Sequence, residues 1–243
     1  MVPITGRAMK ELGVQGLSKG RNLLAGLGLE IVYSFVIILC SLMIYFGTKK
    51  LYELTSHKGI KYFRLGFLFF AIAYFFRSFI KFILVYFNVT RVLDLSPKFI
   101  GTSSLFLFMY FSSIAVFYLL YSVIWKKLKN ESVNVFWIHI VAFTIALISI
   151  LFRSPQVYFI LNFILFLSVV IIFYLAHQAS KTKKKKAHNL YVIYLLLAVF
   201  WILNILDILV PSALQQFQLF IYLASLGVFL TLLYKVLNKV GGI

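Results

Sequence analysis

Acidic residues are scarce in this chain: six Asp or Glu stand against 24 Lys or Arg, for a net charge of +18. Charge of either sign is thin, at 12% of 243 residues. Paired carboxylates, a Ser/His/Asp arrangement, a Gly-rich phosphate loop and His-x-x-His spacings are all absent. The expectation is a protein that is not an enzyme, with no catalytic residue, cofactor or metal to assign. A single cysteine, Cys40, excludes an internal disulfide and a Cys-based metal site. Proline is rare too. Pro3, Pro97, Pro155 and Pro211 fall in the N-terminal tail or between apolar runs, so none interrupts a helix interior. So basic a composition in a soluble protein would suggest nucleic acid, but too little polar surface remains here for such a partner.

What the chain has in excess is apolar surface, at 63% of residues, where soluble domains run nearer half. Seven apolar runs cover about 26–47, 62–87, 100–125, 133–152, 157–178, 190–209 and 212–236. Each is close to the roughly 20 residues that cross a hydrocarbon core as a helix. Lipid offers no partners to backbone N–H and C=O groups, so spanning segments must bond internally. The runs are too long and unbroken for barrel strands. The expected fold is an all-α, multi-pass integral membrane protein, a seven-transmembrane-helix bundle.

Orientation follows the basic residues. The first, third and fifth connections and the C-terminal tail hold fifteen Lys or Arg; the N-terminal tail and the other three connections hold seven. The positive-inside rule then gives N-out and C-in. Residues 1–25 carry Arg7, Lys10, Lys19 and Arg21 yet fall outside, so they read as a basic tail that is interfacial or disordered, or as a cleaved targeting segment. Lys183, Lys184, Lys185 and Lys186 read first as a topology anchor and more sharply as contacts to anionic lipid headgroups or an acidic partner. The partners expected are an anionic bilayer and, beyond it, a membrane-protein partner or a second copy.

An internal repeat is also visible. A shift of 127 residues pairs Ile37 with Ile164, Ser41 with Ser168, Ile44 with Ile171 and Ala71 with Ala198; a shift of 112 pairs Tyr110 with Tyr222 and Phe117 with Phe229. The chain then divides into the tail 1–25, repeat one 26–125, a linker helix 133–152, repeat two 157–236 and a C-terminal tail 237–243: a 3+1+3 parallel internal repeat.

Charges inside the membrane are costly and mark function or helix pairing. Arg77 stands about 22 Å along the second helix from Tyr62, with Lys81 one turn further on the same face. Glu30 and Asp207 are the acids at the outer helix ends. Under the repeat Arg77 aligns with Asn204. Arg77, Lys81, Asn204, Asp207 and Glu30 are therefore expected to form a polar cluster in the outer half of the bundle, joined by Asn162 and Gln218. It is either a site for a small polar or anionic ligand, or an Arg77–Asp207 ion pair that fixes packing with Lys81 snorkelling outward. His139, inside the fourth helix, is expected to bond between helices, while His57 reads as solvated. Tyr52, Tyr62, Trp125, Trp137 and Tyr158 read as interfacial belts.

A 3+1+3 arrangement with N-out and C-in is similar in architecture to SWEET-type sugar transporters and, more broadly, to rhodopsin-like proteins. SWEET-type proteins carry prolines in helices that hinge during transport; this chain has none there. Microbial rhodopsins need a mid-membrane lysine in helix seven, where this chain has Leu226, Gly227 and Val228. A retinal protein is excluded. The expectation is a receptor-like, sensor-like or scaffolding subunit, with a small-solute transporter as the alternative.

Overall fold

The computed structural model describes residues 28–86, 97–125, 135–152, 154–181, 188–209 and 215–241, which form helices and short turns with no strand among them. The helices are α1 (28–47), α2 (Lys49–Thr55), α3 (Lys58–Tyr86), α4 (Pro97–Ile124), α5 (Val135–Phe152), α6 (Pro155–Lys181), α7 (His188–Leu209) and α8 (Gln215–Gly241). Among the described residues, six helices are long and apolar enough to cross a membrane, with α1 and α2 counted as one span. The apolar stretch of α7, Tyr191–Asp207, is shorter. The basic tail 1–25 and the run Lys183 to Lys186 lie outside the described residues.

Several expected boundaries move outward. Pro97 and Pro155 open α4 and α6 instead of lying in connections. The first helical turn is where proline's missing N–H has no intrahelical partner to lose. α8 runs on to Gly241, through most of the expected C-terminal tail. The first connection is also largely helical. At Thr48 the hydroxyl back-bonds to Ile44 O at 2.7 Å, a local competition that bends helices, and the chain continues as α2. Ser56 ends α2 in the left-handed region, φ 47°, and its N–H donates to Tyr52 O at 2.8 Å.

Chain neighbours are spatial neighbours, and α8 closes against α1. Tyr33 of α1 stacks on Tyr222 of α8 with ring centroids 4.6 Å apart. α3 is the hub: it packs along α4, and its buried Phe67 and Phe70 meet Phe200 of α7 and Phe229 of α8 in an aromatic plug. α5 is peripheral, burying only Ala142, Ile145, Ala146 and Ser149. Large apolar side chains point outward all round, among them Phe35, Trp137, Leu151 and Phe220. A soluble monomer does not carry so much contiguous apolar surface; the molecule is a membrane-helical bundle.

Burial bears on the repeat register. Ile37 and Ile44 are fully buried, whereas the expected partners Ile164 and Ile171 are 46% and 51% exposed. Buried residues of α1 match those of α6 one position later: Ile37, Ile44 and Thr48 with Leu165, Ile172 and Ala176. The same step pairs Met109, Ser112, Val116 and Leu119 of α4 with Tyr222, Ser225, Phe229 and Leu232 of α8. The shift of 127 does match burial between α3 and α7, where Phe67, Phe70, Ala71 and Tyr74 face Tyr194, Leu197, Ala198 and Trp201.

Candidate functional site

At one end of the bundle a single arginine joins three helices. Arg77, five turns into α3, donates through Nε to Glu30 Oε1 of α1 and through an Nη to Asp207 Oδ2 of α7, both at 3.2 Å. The three side chains are 18%, 12% and 8% exposed, so the charges are largely out of solvent. Asp207 lies in the last turn of α7, where the helix macrodipole disfavours a carboxylate. Its two oxygens take donors from other helices. Arg77 is one; Gln218 Nε2 of α8, at 3.1 Å from Asp207 Oδ1, is the other. The same Gln218 amide reaches Tyr222 OH at 3.0 Å.

Beneath this triad the polar network continues inward. Tyr74 OH donates to Asn204 Oδ1 at 2.8 Å, and Asn204 Nδ2 donates back to Phe200 O. Asn162 Nδ2 donates to Tyr158 O at 2.8 Å, and the Trp201 indole N–H points at Asn162 O at 3.4 Å. The Arg77 guanidinium lies over Tyr74 and Phe108, 5.8 and 5.5 Å from the ring centroids. Between these groups is a cavity of about 20 Å³, bordered by Arg77, Tyr158, Asn162, Asn204 and Ser112. That is room for roughly one water molecule.

The structure thus brings together Arg77, Glu30, Asp207 and Asn204, with Asn162 and Gln218 beside them. Lys81 is on α3, one turn past Arg77; its side chain lies outside the described residues. Tyr158, read from sequence as part of an interfacial belt, borders the cavity. Tyr33, Tyr74, Trp201 and Tyr222 are site residues that the sequence reading missed. Tyr74, three residues before Arg77 and so on the same helical face, was the one with a readable signal.

Other expected polar positions resolve differently. His139 bonds between helices, with Nδ1 3.1 Å from Tyr110 OH and Nε2 3.2 Å from Tyr118 OH, both of α4. His57 is not simply solvated: it is half-buried with its ring edge on Trp125, centroids 4.7 Å apart. Arg64, near the start of α3, is a buried helical residue whose Nε donates to Tyr45 O at 3.0 Å. Among the described residues no group of three or more His, Cys, Asp or Glu is placed to hold a metal ion.

No family model and no solved structure matches the chain. An uncharacterised protein of Archaeoglobus fulgidus is 33% identical to it over 217 residues, 86% of this chain and 92% of that one. At that identity and coverage the two proteins share a family, and the chain belongs to it.

Proposed function

We propose that the protein is a receptor-like or scaffolding membrane subunit without catalytic chemistry, oriented N-out and C-in, with the Arg77 cluster in the outer half of the bundle. The observation that carries this reading is the Glu30–Arg77–Asp207 triad, which ties α1, α3 and α7 together. The space that Arg77 shares with Tyr158, Asn162 and Asn204 is only about 20 Å³, which supports a lock between helices over an open channel. An incoming carboxylate or phosphate that competes for Arg77 would free α1 and α7 at once. That is a plausible physical route from ligand to altered helix packing.

A small-solute transporter of 3+1+3 architecture is the second reading, and one observation favours it. A larger cavity opens at the opposite, basic end, and the plug of Phe67, Phe70, Phe200 and Phe229 separates it from the cluster. A closed outer gate above an inner vestibule is the arrangement alternating access requires.

Native mass spectrometry of protein extracted gently from its own membrane tests the two. A co-purifying protein in fixed stoichiometry is the expected result. A chain that carries only a small metabolite, lost in Arg77→Ala, followed by flux into proteoliposomes that the same substitution abolishes without unfolding, would replace this reading with transport.

A further inference from the structure

The cavity at the basic end is of a different kind from the one beneath the triad. It measures about 180 Å³ and lies where α2, α3, α4, α7 and α8 converge. Its walls are mainly Leu51, Ile60, Phe63, Ile193 and Val236. The hydroxyls that border it are already engaged: Tyr194 OH and Ser122 Oγ are 2.9 Å apart, and Thr48 Oγ1 donates to Ile44 O. Water needs two to four polar partners to stay in a buried site, and this lumen offers few. An apolar cavity of about 150 Å³ elsewhere is known to take a hydrocarbon the size of benzene. Left empty, such a space forfeits dispersion contacts on every side.

Basic residues flank the lining in sequence. Lys50, Lys58, Lys61 and Lys235 each stand next in sequence to a lining residue, and all but Lys235 are well exposed. Lys49 is likewise next to Thr48 but is 3.7 Å from Glu53. A hydrocarbon slot flanked by basic residues, at the end of a helix bundle, matches the two halves of one class of molecule.

We propose that this cavity binds a membrane lipid with an anionic headgroup, a segment of one acyl chain in the lumen and the head among Lys58, Lys61 and Lys235. The site is independent of the Arg77 cluster and holds for either reading of function.

The full-length protein in mixed micelles of phosphatidylglycerol and phosphatidylcholine, analysed by native mass spectrometry, tests it. One phosphatidylglycerol should be retained with a preference of about tenfold or more, the scale that two or three lysines near an anionic surface supply. Val236→Phe, which fills the lumen, should abolish retention while the melting temperature holds or rises. Ile60→Phe on α3 is the second filling variant should Val236→Phe fail to fold. Lys58→Gln with Lys61→Gln should lower the preference about tenfold. Equal retention of the two lipids, or retention unchanged in both filling variants, overturns the proposal. So does displacement of the lipid by inorganic phosphate alone, which would mark a soluble-anion site. A protein partner that protects Val236 in place of lipid would assign the cavity to docking.

Discussion

Two buried arginines on one helix solve the same problem in opposite ways. Arg77 meets two carboxylates and an aromatic face. Arg64, thirteen residues earlier and about 20 Å away along α3, is 9% exposed; it donates to a backbone carbonyl and lies over the rings of Tyr45 and Tyr52, with centroids at 4.8 and 5.6 Å. Arg64 is within two turns of its helix start, where the chain end can fold back and supply a carbonyl and π-faces. Arg77 sits deep enough in the helix array that its charge is matched by charges from helices far away in sequence. The first arrangement pins α1 and α2 locally. The second makes the packing of α1, α3 and α7 depend on one guanidinium.

The largest expected effect breaks that second arrangement. Arg77→Ala takes from Glu30 and Asp207 the guanidinium that both bind, and should cost about 3–5 kcal/mol of stability. Adding Asp207→Ala should recover part of the loss, with a coupling energy of about 0.5–3 kcal/mol. Denaturant unfolding in micelles reads both. A loss under about 1 kcal/mol in the single variant would mean that the triad locks nothing. Arg64→Met should cost less, about 1–2 kcal/mol, since one charged hydrogen bond and its ring contacts are lost. If Arg64→Met proved as damaging as Arg77→Ala, the contrast drawn above would collapse. His139→Phe, which removes the hydrogen bonds to Tyr110 and Tyr118 between α4 and α5, should be smallest, about 0.6 kcal/mol with a ceiling near 1.7. Hydrogen exchange at the start of α5 would locate that change.

Depth was legible in the sequence and direction was not. Arg77, Glu30 and Asp207 could be placed at one end of the bundle because rise per residue fixes height along a helix, and rare charges in apolar runs stand out. Facing is another matter. A soluble helix announces its buried side by alternating polar and apolar residues. Here the lipid side and the core side are both apolar, so Ile37 and Ile164 look alike in sequence while one is fully buried and the other is 46% exposed. That is why sequence matching alone pairs Ile37 with Ile164, where burial pairs it with Leu165.

The sequence by itself determined that the chain is a bundle of helices made for lipid. Length and hydropathy alone satisfy the backbone's need for internal hydrogen bonds there. Only the tertiary structure decided that Arg77 takes both Glu30 and Asp207, that Arg64 is buried, and that an apolar cavity lies opposite the triad. The reason is geometric. Partners 47 and 130 residues apart meet through the rotation of each helix about its own axis, and that rotation is set by packing against neighbours.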